Sequence, residues 1–283
     1  MKILTFDIED WYNCDFISNN FNWNSYEVRI YEGVDRILQH LETENIKATF
    51  FCLGWIAQNH PDIIKRIHSH GHHIGCHSYQ HQLLYRLNRK EFIEDTLKAK
   101  TLLENLIGSS VDSYRAPGFS VSENNLWVFE ELYDLGFRYD CSVLSAKHDY
   151  GGFKNFKINK PVKLKLSNGN IIKEFPISTF DKFGNSMIFS GGGYFRFYPY
   201  SFIKLFSKNS DYLMTYFHPR DFDPNQPILK NLPFIRKFKS YVGLKYSFSK
   251  FKRYTKDFDF ISLKEASEKI DWNKTDTIIF DDK

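Results

Sequence analysis

Cysteine is scarce in this chain: four in 283 residues, and no two of them form a CxxC pair. That excludes the familiar zinc-ribbon and thioredoxin-type spacings. Cys52, Cys76 and Cys141 sit in apolar, strand-like runs, where a free thiol behaves as a small hydrophobe; Cys14 is the fourth. A disulfide framework is therefore not expected. Long hydrophobic runs are also missing, and none approaches the ~18 residues of a spanning helix. No charged segment followed by an apolar one precedes the strand pattern "MKILTFDI", so no leader is read there. These absences lead us to expect a cytoplasmic protein, or one lying peripherally at the inner membrane face. Net charge is small, at +4, which argues against nucleic acid as a partner. Acidic residues disappear from Pro224 to Lys256, where Lys230, Arg236, Lys237, Lys239, Lys245, Lys250, Lys252, Arg253 and Lys256 are all basic. The stretch 230–256 reads either as a solvated helix face or as a surface for anionic lipid headgroups or a phosphorylated carrier.

Apolar residues make up 42% of the chain, enough for a sizeable core, and aromatics reach 18% with 28 Phe and 17 Tyr. Such an excess serves either a Phe-rich core or a sugar-binding groove. Short apolar runs alternate with helical patterns. "KILTFDI" (2–8), "KATFFCLG" (47–54), "HHIGCH" (72–77), "SYRAP" (113–117), "RYDCS" (138–142) and "KEFPIS" (173–178) read as strands, followed later by "DYLMTYFH" (211–218) and "FDFISL" (258–263). Helical spacing falls at 31–45, 56–71, 89–108 and 123–135. Repeated alternation implies a parallel sheet, and seven or eight strands at this length favour closure into a distorted (β/α)7–8 barrel of the α/β class. No internal repeat or linker is visible. The expectation is one domain over 1–283, with its core at 2–222, a completing segment at 223–283 and an insertion near 145–200 at the barrel mouth.

In such barrels the reactive groups sit at the C-terminal ends of the strands. Here the apolar runs end at Asp7, Glu9 and Asp10, at His77 leading to His81, at Arg115, at Asp140 and at His218. Carboxylates, three histidines and an arginine would thus gather over one cavity. Asp7 and Glu9 are two apart on a strand and leave the same face, so one can bind a metal while the other stays free as a base. His77 and His81, on one helical turn, can share an ion. Two histidines and a carboxylate with an open position form a common site for Zn²⁺ and other divalent metals.

The ordered set resembles the polysaccharide deacetylases of carbohydrate esterase family 4. "TFDIED" (5–10), "HSYQH" (77–81), "RAPGF" (115–119), "YDCSV" (139–143) and "YFHPRDFD" (216–223) follow the order of that family's motifs. "GGGYFRFYPY" (191–200) is similar to the branch associated with exopolysaccharide and O-antigen genes. The resemblance implies Asp7 as general base, Arg115 orienting it, and His218 as general acid paired with Asp140. It implies a metal on His77, His81 and Glu9, with Asp10 as the alternative carboxylate. Zn²⁺ leads the candidates, ahead of Co²⁺, Ni²⁺, Fe²⁺ and Mn²⁺. The backbone N–H of Tyr79 or a neighbour would meet the oxyanion, and Pro117 belongs to the third motif. The fourth motif lacks its usual aromatic, so Trp55, Tyr194 or Phe195 would wall the groove. The implied reaction removes N-acetyl from an amino sugar of a surface glycan, or of its lipid- or nucleotide-linked precursor. The alternatives are an amidohydrolase acting on a cyclic imide or ureide, and a catalytically silent glycan-binding protein. Oligomeric state is not legible.

Overall fold

The computed structural model describes every residue except 14–20, 147–149, 154, 183–184, 230 and 281–283, and says nothing of the side chains of 182 and 185. Cys14 and Lys230 therefore lie outside the described residues.

The first apolar run splits in two: β1 (Lys2–Ile3) and β2 (Thr5–Ile8). β3 (Thr49–Cys52), β4 (His73–Cys76), β5 (Ser113–Tyr114), β6 (Tyr139–Asp140), β7 (Val162–Lys165) and β8 (Ile171–Glu174) follow. β9 (Thr179–Lys182) and β10 (Asn185–Ile188) form a hairpin, β11 (Leu213–Met214) pairs with β1, and β12 is Thr277–Ile279. The large sheet runs β12-β7-β8-β6-β5-β4-β3-β2, and from β2 to β8 every neighbour is parallel. On the far side, parallel bridges join Phe6 to Phe217 and Ile3 to Ile261. Between the β8 end and β11 the ring closes mainly through side chains. The Met214 N–H donates to Ser178 Oγ at 2.8 Å, and the Tyr212 hydroxyl donates to the Pro176 carbonyl at 2.8 Å. The result is the distorted (β/α)7–8 barrel.

Local chemistry accounts for the helices. The helix Arg89–Ile107 begins with a capping box between Asn88 and Glu91 and ends at Gly108 in the left-handed conformation, the punctuation its sequence predicts. The helical pattern at 56–71 breaks into Gly54–Asn59 and Pro61–Ser69, because Pro61 has no N–H to donate and fits only the first turn of a helix.

The 145–200 segment is not simply an insertion. β7 and β8 belong to the main sheet, and β8 is the barrel strand beside β6. Among the described residues of this segment, only Tyr150, Gly192, Gly193, Tyr194, Arg196, Phe197 and Tyr198 line the mouth. Gly191 bridges Tyr216, and a Cβ there would run into the Tyr216 carbonyl, so the strand can approach only as glycine. Among the described residues no helix is long and apolar enough to cross a membrane.

Candidate active site

A cavity of about 400 Å³ opens at the C-terminal ends of the barrel strands, and Asp7, Glu9, His77, His81, His218 and Asp221 all line it. Arg115 lies beneath them with no solvent exposure. Its Nη1 donates to Asp7 Oδ1 at 2.6 Å and to Thr5 Oγ1 at 2.7 Å, and its Nε donates to the Cys141 carbonyl at 3.2 Å. The guanidinium also stacks over the Phe51 ring at 4.2 Å. Asp7 is thus held rigidly on one oxygen while the other, Oδ2, faces His218 Nε2 at 3.9 Å.

Glu9, His77 and His81 bring one ligand atom each to within 4.8 Å of one another. His77 Nδ1 lies 2.7 Å from the Arg115 carbonyl, which fixes the proton on that nitrogen and leaves Nε2 as a lone pair. Burial lowers His77 to about 4, so the ring stays neutral and able to ligate. Glu9 Oε2 and His81 Nε2 approach to 2.9 Å, yet this oxygen makes no hydrogen bond of good geometry. Both residues belong to the cluster whose ligand atoms could surround one ion. Burial would raise Glu9, but the three imidazoles of His81, His218 and His77 outweigh it and hold the carboxylate well below its usual range. A buried neutral imidazole, a second imidazole and an ionised carboxylate suit a divalent transition metal.

The His77–His81 segment is not the expected helical turn. It is a loop in which Ser78 and His81 both adopt positive φ, 65° and 56°, a conformation that costs energy and that surrounding bonds must hold. Asp95, on the helix Arg89–Ile107, supplies that hold: its carboxylate accepts the N–H groups of Tyr79 (2.7 Å) and Gln80 (3.1 Å). The Tyr79 N–H is thereby committed and does not face the cavity as an oxyanion donor. The Tyr79 hydroxyl donates to Gln58, and its ring lies under Lys98.

Other expectations change as well. Asp10 turns away from the histidines and accepts the backbone N–H groups of Trp11, Arg29 and Ile30, capping the start of the helix Ile30–Thr43; Glu9 alone faces the ligand cluster. Trp55 packs edge-on to Tyr12 and Trp23 in the core, and Pro117 is buried beside the cavity without lining it. The aromatic walls are Phe119, Tyr150, Tyr194, Phe197, Tyr198, Tyr216 and Phe238, while Phe195 is fully buried.

Asp140 does not pair with His218. It accepts Ser142 N–H and Oγ–H (2.9 and 2.7 Å) and meets Glu174 in the barrel interior. Burial raises Asp140, and burial plus the Asp140 charge raises Glu174 far above its ordinary value. The partner of His218 is Asp221. One carboxylate oxygen takes both the His218 backbone N–H (2.9 Å) and Nδ1 (3.0 Å), while the other ion-pairs with Arg196 Nε at 2.9 Å. Burial opposes ionisation of Asp221, but the His218 bond and the Arg196 charge hold it at about 2. Burial likewise opposes protonation of His218, and Asp221, Glu9 and Asp7 reverse that and raise it. A signal for Asp221 was present: "HPRD" places an acid three residues after His218, the spacing of a capping turn. Arg196 and Asp95 carried no comparable signal, because their partners are distant in sequence.

Two family models match the chain. The polysaccharide deacetylase model covers residues 3–139, and a domain of unknown function, DUF3473, covers 141–268. Among curated proteins, a peptidoglycan-N-acetylglucosamine deacetylase of Bacillus cereus is 39% identical over 101 residues, which is 35% of this chain and 37% of the relative. A peptidoglycan deacetylase of Helicobacter pylori is 30% identical over 112 residues, 40% of this chain and 37% of the relative. The chain thus aligns with less than half the length of these relatives. A solved polysaccharide deacetylase from Mycobacterium smegmatis superposes with a TM-score of 0.67 at 17% identity, covering 99% of this chain and 93% of that one, a likeness of fold. Residues 3–139, with the motifs they carry, thus form a polysaccharide deacetylase domain of carbohydrate esterase family 4, followed by the DUF3473 region.

Proposed function

We propose that this protein hydrolyses the N-acetyl group of an amino sugar in a surface polysaccharide, or in its lipid- or nucleotide-linked precursor. The observation that carries the reading is the convergence of Asp7–Arg115, Glu9–His77–His81 and His218–Asp221 on one cavity. The curated relatives, named as deacetylases of peptidoglycan N-acetylglucosamine or of peptidoglycan, support the same bond type.

A divalent ion on Glu9, His77 and His81, Zn²⁺ by preference, would supply Lewis acidity toward the acetyl carbonyl and acidify water. Asp7, pinned by Arg115, takes the proton of the attacking water through its free oxygen Oδ2. His218 Nε2, with Nδ1 bonded to Asp221, gives a proton to the departing amine as the C–N bond breaks. Water and amide are consumed; acetate and a free amine result. The aromatic walls offer flat faces for sugar rings.

The test pairs two readouts on one sample. Acetate release from N-acetylglucosamine oligomers is measured beside the zinc-dependent rise in melting temperature, for the wild type and for a His77→Ala/His81→Ala double variant. At a thousandfold excess of free metal over Kd the rise corresponds to about 4 kcal/mol. Both signals should vanish in the variant. Metal binding without acetate release, with ring opening of cyclic imides instead, would favour the amidohydrolase alternative. Glycan binding with neither metal nor turnover would favour a silent binding protein.

A further inference from the structure

The mouth of the cavity carries an unusual helix, Phe234–Tyr241, with the sequence "FIRKFKSY". At about 100° per residue its positions divide cleanly. Phe234, Ile235 and Phe238 form one arc; Lys237 and Lys239 flank it on either side; Arg236 and Ser240 point the other way. The structure agrees. Phe234 is 83% exposed, Ile235 69% and Phe238 46%, while Ser240 is buried and the Arg236 guanidinium lies over the Tyr150 ring at 4.9 Å. Phe197, also exposed, packs edge-on to Phe238 at 5.8 Å and extends the apolar patch. Three large exposed apolar side chains on one helical face are not scattered surface residues; a contiguous patch of this kind marks an interaction site.

The charge around the patch says what it meets. No acidic residue occurs from Pro224 to Lys256. Lys237 and Lys239 border the apolar arc, and Lys245 stands in the first turn of the next helix, Leu244–Asp257. An apolar arc edged by lysines, whose stems can lie along hydrocarbon while their ammonium groups stay in the headgroup layer, is the design of an interfacial helix on an anionic bilayer. The helix is also firmly placed. Arg196 donates to the carbonyls of Lys239, Ser240 and Val242 at 2.8–3.1 Å, and the same Arg196 ion-pairs with Asp221 beside His218. Ile235, Phe238 and Lys239 border the cavity itself.

We propose that the helix Phe234–Tyr241 docks this protein on an anionic lipid surface, with the rim of the active-site cavity against the headgroups. The cavity then opens toward glycans held at the membrane, which favours lipid-linked amino sugars as substrates. The docking stands on the helix alone; only the substrate statement rests on the deacetylase reading.

Flotation of the full chain with phosphatidylcholine vesicles, with and without admixed phosphatidylglycerol, tests the docking. The wild type should float with the anionic vesicles and much less with the neutral ones. Phe234→Ser/Ile235→Ser should weaken binding about tenfold or more, and Lys237→Glu should weaken it in a salt-dependent manner. Phe234 and Ile235 are exposed and Lys237 is half-buried, so circular dichroism and melting temperature of each variant should match the wild type and exclude misfolding as the cause. Failure of the wild type to bind, or binding unchanged by the variants, overturns the proposal. So does a concentration-dependent dimer that Phe234→Ser/Ile235→Ser abolishes without any vesicle binding, which would assign the face to a second copy. Acetate release on soluble N-acetylated oligomers should be unaffected by Phe234→Ser alone, because Phe234 does not line the cavity. Normal vesicle binding with no turnover of any acetylated sugar would leave the docking intact and defeat the deacetylase reading instead.

Discussion

Asp7, His77 and His218 are each fixed by a neighbour on one atom, which leaves the other to face the cavity. Arg115 takes one oxygen of Asp7, the Arg115 carbonyl takes Nδ1 of His77, and Asp221 takes Nδ1 of His218. Preorganisation of this kind does the work that water reorganisation would otherwise do. It also separates two aspartates that the strand-end pattern could not. If Asp221 is the partner of the acid, Asp221→Asn should lower kcat about 100-fold with little change in KM, within the range general-acid contributions span. Asp140→Asn should leave kcat within about threefold, because Asp140 touches Ser142 and Glu174 and not His218. Steady-state kinetics on both variants decides between them.

At the scale of elements, two contacts between neighbours carry energy that can be read. The helix Arg89–Ile107 props the His77–His81 loop through Asp95. Asp95→Ala should release that strained loop and weaken zinc binding about 10- to 100-fold, the usual cost of losing an outer support, as titration against a competing chelator would measure. The second contact is Asp140 on β6 against Glu174 on β8. Burial raises both groups in the folded protein, whereas in the unfolded chain they ionise near pH 4. The folded state therefore binds more protons above about pH 4, and the stability contributed by the pair is complete below that pH and lost as pH rises. Glu174→Gln keeps a donor toward Asp140 and removes the ionisation. Its melting temperature should equal or fall below that of the wild type at about pH 4.5 and exceed it by several degrees at about pH 8. A difference that stays constant across this range would contradict the upward shift of Glu174.

For the molecule as a whole, the boundary between the two family models at residues 139–141 does not divide the barrel. β8 and β11 lie beyond it and complete the ring, and His218, Asp221 and Arg196 come from that second part. A fragment of residues 1–140 would expose the β6 edge and the apolar faces that β8 covers. It should show no cooperative thermal transition and no acetate release, whereas the full chain melts in a single step. Differential scanning calorimetry of both proteins checks this.

The barrel class, most of its core strands and the polar residues at their ends were legible because they depend on short-range pattern. Apolar runs of strand length, helix stops such as Gly108, and HxxxH spacing are local properties, and a parallel sheet sends all its strand ends to one face. Local pattern does not determine which way a loop turns its carboxylates. Glu9 and Asp10 are adjacent, yet one faces the imidazoles and the other caps a helix 20 residues away, a choice made by unpaired N–H groups at Arg29 and Ile30. The partner of His218, the Asp95 prop under the second motif and the Arg196 tie to the mouth helix were likewise decided by tertiary packing. A buried charge must find a counter-charge in three dimensions, and chain order alone does not say which one lies nearest.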